Sequence, residues 1–258
     1  TTQASVFRTS AMSGDSTAYI DSATANLAGA ITAINGNGFS IGTSATVSTS
    51  GTTYYWTAYG NAWEPENNAG ASDFYVGAYF TPATAIDSQN ITRLPFQADL
   101  VTIKANAAAA GTFKTSDMTG DLAGFFAATA ETTNVVQALN TDGFQTGTAA
   151  NVRTVSVMHW YFGFKNGTNF KVGTYSGTGS AQSITTVAFQ PNNLWVKATG
   201  ATRGVEKSTE MVADSAAPFI NVAPINNALT AMTSTGFSVG TAAETNASGT
   251  NNYRYVAW

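Results

Sequence analysis

Charged residues are scarce in this sequence, and cysteine is absent. Asp, Glu, Lys and Arg together make up 10% of the 258 residues, well below the usual quarter. The 11 Lys and Arg residues are scattered and the net charge is −4, so no basic stripe exists to neutralise phosphate groups. The absence of cysteine excludes disulfides and cysteine-ligated zinc. We therefore expect no nucleic-acid partner and no thiol-based centre.

Long apolar runs are also missing. No stretch of about 18 or more apolar residues occurs, so the sequence predicts no membrane-spanning helix and no membrane partner. No signal peptide is recognisable, and the sequence starts at Thr1 rather than Met. Apolar residues make up 43% of the chain, which is enough for a buried core. Solubility rests on uncharged polar residues, which suits a surface that packs against copies of itself or against sugars.

A six-residue motif with the pattern Gly-Phe-x-x-Gly-Thr is the clearest feature that is present. It occurs at 38–43, 143–148 and 236–241. A polar segment and then an aromatic segment follow each copy, the aromatic segments being 54–59, 158–164 and 253–258. Glycine-bounded and aromatic segments around a polar turn predict a hairpin in which the motif strand pairs with the aromatic strand.

Further anchors show that the motif belongs to a long repeat. Phe96 and Phe189, Lys114 and Lys207, and Gly143 and Gly236 are each separated by 93 positions. A constant spacing over separate anchors indicates tandem copies of one structural unit. We predict a truncated first repeat at 1–60, a linker at 61–73, a second repeat at 74–165 and a third repeat at 166–258.

The repeats have the character of an all-β fold. Many short strands with frequent turn signals predict tandem antiparallel β-sandwich repeats, jelly-roll-like, with few short helices. The weak helical signal lies at 23–34 and 121–139. The connection at 165–169 is short, so the second and third repeats are expected to pack together. The first repeat lacks the opening strands, which predicts an unpaired sheet edge that strands of another chain complete.

The third repeat carries a family likeness. Its successive motifs are Val-Gly-x-Tyr at 172–175, Ile-Thr at 184–185, Phe-Gln-Pro-x-x-Leu-Trp-Val-Lys at 189–197, Gly-Phe-Ser-Val-Gly-Thr at 236–241 and Tyr-x-Tyr-Val-Ala-Trp at 253–258. This order resembles repeat domains of tailed-bacteriophage virion proteins, which are concanavalin-A-like or laminin-G-like β-sandwiches. The likeness is best at 172–258, weaker at 76–164, and confined to the second half of 1–60. It implies a non-enzymatic structural protein at the virion surface, as capsid decoration or tail fibre, with no catalytic residues.

The aromatic segments supply the candidate contact residues. Alternation along a strand places half of the side chains inward and half outward. We select Trp56, Trp160, Tyr253 and Trp258 as interface or sugar-stacking residues. Low charge combined with exposed aromatic rings favours subunit contact over sugar binding. The expected partners are copies of the chain and other virion proteins, with surface glycans as the alternative.

Neither the histidine nor the carboxylates predict a reactive centre. His159 stands in an aromatic strand without ligand-type neighbours, which is typical of a core histidine. Asp73, Asp99, Asp117, Asp121 and Asp142 are spread singly, whereas a glycosidase needs two converging acids. We therefore predict no catalytic residue, metal or cofactor. Two other classes of protein stay open, a carbohydrate-binding adhesin and a self-assembling extracellular filament or surface-layer protein.

Overall fold

The computed structural model describes antiparallel β-sheets with few helical residues. The described residues are 4–21, 23–60, 73–84, 86–212, 214–249 and 252–258. Within them every strand pair is antiparallel, and each helix is a single turn of four residues. The all-β prediction is confirmed. None of these described helices has the length and hydrophobicity needed to cross a membrane. The predicted linker lies outside the described residues except for residue 73.

The first repeat forms two small sheets within the described residues. Its elements are β1 (Val6–Phe7), β2 (Ser16–Tyr19), β3 (Leu27–Ala28), β4 (Ile31–Asn35), β5 (Gly38–Ile41) and α1 (Ala45–Ser48). Strands β1, β2 and β3 form one sheet in that order, and β4 and β5 form a separate hairpin. Gly36 and Asn37 make the turn between β4 and β5, a composition that suits a two-residue reversal.

The second repeat has opening strands that have no counterpart among the described residues of the first repeat. Its elements are β6 (Phe74–Phe80), β7 (Gln89–Ile91), β8 (Leu100–Ala105), β9 (Thr112–Thr115), β10 (Gly124–Phe125), β11 (Val136–Asn140), β12 (Gly143–Thr146), α2 (Ala150–Arg153) and β13 (Met158–Phe164). Five strands form a large sheet in the order β10-β9-β8-β13-β6. The other three form a small sheet in the order β11-β12-β7.

The third repeat has the same strand order as the second. Its elements are β14 (Lys171–Ser176), β15 (Gln182–Ile184), β16 (Asn193–Ala198), β17 (Val205–Ser208), β18 (Ser215–Pro218), β19 (Ile225–Asn226), β20 (Leu229–Thr233), β21 (Gly236–Val239), α3 (Ala243–Asn246) and β22 (Asn252–Ala257). The large sheet has the order β14-β22-β16-β17-β18-β19, and the small sheet has the order β15-β21-β20. The closing strands β13 and β22 are therefore second from the edge in their large sheets, between the edge strands β6 and β14 and the strands β8 and β16.

The predicted pairing between the glycine-bounded strand and the aromatic strand is wrong. In the third repeat β21 pairs with β20 and β15 in the small sheet, whereas β22 pairs with β14 and β16 in the large sheet. The helical turn α3 connects the two sheets. The helical turns thus lie at this crossing, and the ranges 23–34 and 121–139 form strands and turns instead.

Each intact repeat has a core to which both of its sheets contribute. In the second repeat Ile103 of the large sheet and Phe144 of the small sheet belong to one buried cluster. Val196 and Phe237 hold the corresponding places in the third repeat. Complete burial of such a side chain stabilises the fold by about 1.5–3 kcal/mol. These two cores depend on the strand order that the two repeats share.

The outer faces of the two large sheets pack against each other and form a third buried cluster, the inter-repeat core. The ring of Trp195 lies 5.2 Å from that of Phe126 and 6.4 Å from that of Phe162 between centroids. The rings of Phe164 and Trp258 are 5.6 Å apart. The second and third repeats therefore pack together, as the short connection between them predicts.

The first half of the first repeat joins the inter-repeat core. Ile20 is buried in it, and the ring of Phe7 contacts that of Phe162 with centroids 6.1 Å apart. Met12 is buried against Trp160 in a small neighbouring cluster. Strands β1 and β2 are consequently fixed to the other two repeats, and they carry the β4–β5 hairpin with them.

Buried cations explain another repeated element of the sequence. The Nζ of Lys114 donates to the carbonyls of Gly120 and Leu122 over 2.9 and 2.6 Å. Lys207 makes an equivalent pair of bonds in the third repeat, and Arg8 binds loop carbonyls in the first. Burial lowers the pKa of Lys114 to about 8. Each of these cations therefore holds a loop of its own repeat.

We expect Glu206→Gln to stabilise the chain at alkaline pH. Glu206 lies where the third repeat meets the first, and the hydroxyl of Ser5 donates to its carboxylate over 3.5 Å. Burial raises the pKa of Glu206 from 4.5 to about 7, so the folded chain retains a proton that the unfolded chain releases. The stability from this proton is fully present below pH 4.5 and is lost as the pH rises through 7.

The free energy of unfolding in urea, measured near pH 4 and near pH 8, tests this linkage. Near pH 8 the glutamine variant should be more stable than the wild type by about 2 kcal/mol, a value discounted for partial exposure. Near pH 4 the difference should be at least halved, since both chains are then neutral at this position. A difference that does not change with pH would contradict the assignment.

Candidate functional site

The β4–β5 hairpin exposes a face that the equivalent hairpins bury. Ile31 lies opposite Ile41, and Ile34 lies opposite Phe39, so these four side chains share one face of the hairpin. Ile34, Phe39 and Ile41 are 51%, 36% and 52% exposed. We call this surface the open face. A contiguous set of exposed apolar side chains indicates a contact surface, because such patches are rare on monomeric proteins.

The intact repeats show what normally covers this face. Phe144 and Phe237, which take the place of Phe39, are 0% exposed. Both lie in the cores to which the large and small sheets contribute. The three hairpins also share a shift of register at the same point, between Ile31 and Ala33 in the first repeat. The open face is therefore a core face without its cover among the described residues.

An aromatic pair on the open face already has its core geometry. The rings of Phe39 and Trp56 are 5.3 Å apart at 70°. In the second repeat the rings of Phe144 and Tyr161 are 5.0 Å apart at 75°, and the third repeat has 5.4 Å and 70°. Tyr161 is fully buried, whereas Trp56 is 68% exposed. The first repeat thus exposes to solvent a ring pair that the other two repeats bury in their cores.

The edge of β5 at Gly38 has no pairing strand among the described residues. A Cβ at Gly143 would lie 1.8 Å from the carbonyl oxygen of Ile91, and one at Gly236 would lie 2.0 Å from that of Ile184. At Gly38 no described residue lies within 4 Å of the corresponding point, and the φ of Gly38 lies outside the left-handed region. The glycine that admits a third strand is therefore present where the described residues supply no third strand.

The hairpin is nonetheless firmly held on its other side. A Cβ at Gly42 would lie 2.5 Å from the carbonyl oxygen of Gly29, so this glycine is used within the first repeat. Thr17 and Ile31 exchange two hydrogen bonds of 2.9 and 3.0 Å that tie β4 to β2. The open face and the β5 edge are therefore presented by a fixed hairpin.

The closing segment of the first repeat is described without strand structure, so the predicted aromatic strand at 54–59 is wrong. In the intact repeats this strand pairs on both sides with strands that have no counterpart among the described residues of the first repeat. Its start is still placed as in the third repeat, since Tyr54 donates to the carbonyl of Ala45 as Tyr253 donates to that of Ala243. Its end reaches the third repeat, where Asn193 donates to the Tyr59 hydroxyl over 2.8 Å.

The segment that carries the open face contains no charged residue. Residues 22–63 contain no Asp, Glu, Lys or Arg. No side chain of this segment offers a charge to a partner, and a charged side chain placed on the apolar face would lose hydration. The site consequently fits an uncharged, extended and partly apolar partner.

Of the four selected aromatic residues, the structure leaves only Trp56 exposed. Trp160 is 5% exposed and packs on Met12 within the chain, and Tyr253 is 0% exposed in the core of the third repeat. Trp258 packs in the inter-repeat core. Burial removes Trp160 and Tyr253 as contact or sugar-stacking residues, because β13 and β22 are covered on both faces. Trp56 remains a predicted contact residue.

His159 is buried in the core, as its aromatic neighbours predict. Its ring stacks on that of Tyr79 at 4.8 Å and 8°, and its Nδ1 lies 3.0 Å from the Thr81 hydroxyl. Burial lowers its pKa to about 4, so the ring is neutral over the physiological range. Among the described residues no group of three or more acidic or histidine side chains gathers at one point.

Two of the carboxylates have structural roles. Asp117 pairs with Arg254, and Asp99 accepts bonds from the Ser116 hydroxyl at 2.7 Å and from the Asn166 amide at 2.7 Å. Asp99 also lines an open polar groove of about 960 Å³ on the second repeat. The groove includes Gln97, Gln137 and Gln145, whose amides are groups that sugars can bond.

Comparison with known proteins gives a family match for part of the chain. Residues 165–258 match a family described as a domain of unknown function, DUF7483. The matched segment spans the third repeat, and the description of the family names no activity. No curated protein and no solved structure matches the chain. The third repeat is therefore similar to DUF7483 domains, and the resemblance to phage virion repeats stays a prediction.

Proposed function

We propose that the chain is a non-enzymatic structural protein that assembles through the open face of its first repeat. One observation carries the proposal, namely that a face buried in the second and third repeats is exposed in the first repeat. Exposed core faces are costly in water and are stabilised by association. The low overall charge supports close contact between copies, since little charge must be desolvated.

The resemblance of 172–258 to tailed-bacteriophage repeat domains supports a place on a phage particle. In this interpretation each intact repeat is a jelly-roll-like β-sandwich at the virion surface, in a capsid decoration or a tail fibre. Copies of the chain and other virion proteins are its partners. The paired core faces within the chain support the sandwich, because two sheets contribute to each repeat core.

Ile41→Lys tests the assembly. Light scattering of the wild type should show a mass that rises with protein concentration, whereas the lysine variant should keep the mass of one chain. Val212→Lys is the matched control, because Val212 is 72% exposed and lies away from the hairpin. A wild type that stays monomeric at all concentrations, or a lysine variant that assembles like the wild type, would contradict the proposal.

A carbohydrate-binding module is the second candidate. The polar groove of the second repeat, with its three glutamine amides, favours it. A glycan screen on the wild type and on Gln145→Ala separates the two candidates, since the open face lies in another repeat. Binding that the groove variant abolishes would favour the sugar-binding function.

A further inference from the structure

We propose that the open face and the β5 edge bind a pair of uncharged, extended strands with the character of the two opening strands of an intact repeat. This inference rests on the proposed function, and it names the partner of the same site. The incoming segment has the character of Gln-x-Ile at the β5 edge and of Val-Gly-x-Tyr along the closing segment at 54–59. Pairing of an extended segment with a free sheet edge is a recurrent mode of recognition.

The register of the first incoming strand follows from the intact repeats. In the second repeat Ile91 lies opposite Phe144, and Gln89 lies opposite Thr146. The third repeat repeats this pattern with Gln182–Ile184 against β21. On β5 the incoming isoleucine would therefore lie opposite Phe39, and the incoming glutamine opposite Ile41.

Gly38 provides the space for that strand. The carbonyl of the pairing isoleucine comes within 1.8 Å of a Cβ position at Gly143, so only glycine is compatible with the paired state. The same position at Gly38 is open. Glycine weakens a strand when no backbone approaches it, so its presence at an unpaired edge has a physical reason only if a strand docks there.

The second incoming strand fits the exposed tryptophan. In the intact repeats Gly77 and Gly173 lie on the rings of Tyr161 and Tyr255, and a Cβ would come within 2.3 and 2.4 Å of those rings. Trp56 occupies the equivalent place and is exposed. The glycine of an incoming Val-Gly-x-Tyr strand can therefore lie flat on the Trp56 ring.

The tyrosine of that strand would stack on a second aromatic ring of the closing segment. Tyr79 stacks on His159 at 4.8 Å, and Tyr175 stacks on Tyr253 at 5.2 Å. Tyr54 takes this position in the first repeat. The incoming strand thus meets two rings of the closing segment, as the opening strands do in the intact repeats.

The neutrality of the site selects this occupant. The strands Gln89–Ile91 and Gln182–Ile184 carry no charge, and neither does the segment 22–63 around the open face. A charged strand or an acidic or basic peptide would place an unpaired charge on an apolar surface. An uncharged strand from the same kind of repeat satisfies the edge and the face together.

A labelled peptide that spans residues 171–187 of this sequence tests the inference in trans. Fluorescence anisotropy should show saturable binding to the full chain. Gly38→Val should weaken that binding at least tenfold without loss of fold, since the free chain has room for the side chain. A peptide with Gly173→Val and Ile184→Asp is the matched control and should not bind.

The outcomes separate this inference from the proposed function. Peptide binding that Gly38→Val abolishes supports strand completion, even if the chain alone stays monomeric and self-assembly fails. If the chain assembles but neither the peptide binds nor Gly38→Val changes the mass, assembly stands and strand completion is overturned. Binding that Gly38→Val leaves unchanged also overturns it, because the peptide then occupies another edge.

Discussion

Gly143→Ala should lower the free energy of unfolding by about 3 kcal/mol, as expected for overpacking against backbone that cannot move freely. The new Cβ would lie 1.8 Å from the carbonyl oxygen of Ile91, in the middle of the β7–β12 pairing. The small sheet must then open or shift, which exposes Phe144 and the core beneath it. Urea unfolding of the purified variant measures this loss.

Gly38→Ala is the matched control at the equivalent position. Nothing lies within 4 Å of its Cβ site, so the change should be neutral or stabilise the chain by about 0.5 kcal/mol through the entropy of the unfolded state. A Gly38→Ala variant as unstable as Gly143→Ala would show that the first repeat is already closed. The contrast between the two glycines therefore reports directly on the open edge.

Arg254→Met should destabilise the chain by about 3–5 kcal/mol, the range for removal of one partner from a buried ion pair. Arg254 joins the second and third repeats, because its Nη1 lies 2.6 Å from Asp117 and its Nη2 donates to Glu131 over 2.9 Å. Burial alone would lower the pKa of Arg254, but Glu131 and Asp117 raise it. Without the guanidinium Glu131 and Asp117 lose the cation to which they are hydrogen-bonded.

A second ion pair serves as the control for Arg254. Arg203 and Glu244 lie 2.6 Å apart within the third repeat, with side chains 32% and 17% exposed. Arg203→Met should cost about 1 kcal/mol or less, since water can replace the lost contact. Adding Glu131→Gln to Arg254→Met should restore part of the lost stability. Equal losses for the two arginines would contradict a buried bridge between the repeats.

The strands were largely predictable because their composition is local information. Leu-Trp-Val at 194–196 lies within β16, and Val-Gly-Thr-Tyr at 172–175 lies within β14. Sheet membership was not predictable in the same way. A short polar connection has the same kind of composition whether it forms a hairpin turn or crosses between two sheets. The helical turn α3 at the crossing has only four residues, which is too short for a recognisable helical pattern.

The surface of the aromatic strands was mispredicted for a related reason. Alternation shows that a strand has two faces, but not whether a second sheet covers the outer one. Trp160 and Tyr253 are buried because the large sheets of two repeats and the start of the first repeat meet there. Contacts of this kind join segments far apart in the sequence, so they leave no local pattern.

The open face was partly predictable from the sequence, because the three copies of the motif can be compared with one another. The first repeat keeps the glycine, the phenylalanine and the aromatic segment of the motif, although the strands that these residues serve in the other copies have no counterpart among its described residues. That mismatch predicted an unpaired edge. The structure adds the exposure of Ile41 and Trp56 and the empty space at Gly38.

Amide hydrogen exchange of residues 38–41 tests the central claim most directly. In dilute solution those amides of this strand that do not bond to β4 should exchange quickly, and they should become at least tenfold more protected at concentrations where the mass has risen. The equivalent amides at 143–146 and 236–239 should be protected in both conditions. Protection of 38–41 in the monomer equal to that of 143–146 would show that the chain closes its own first repeat, and would contradict the account.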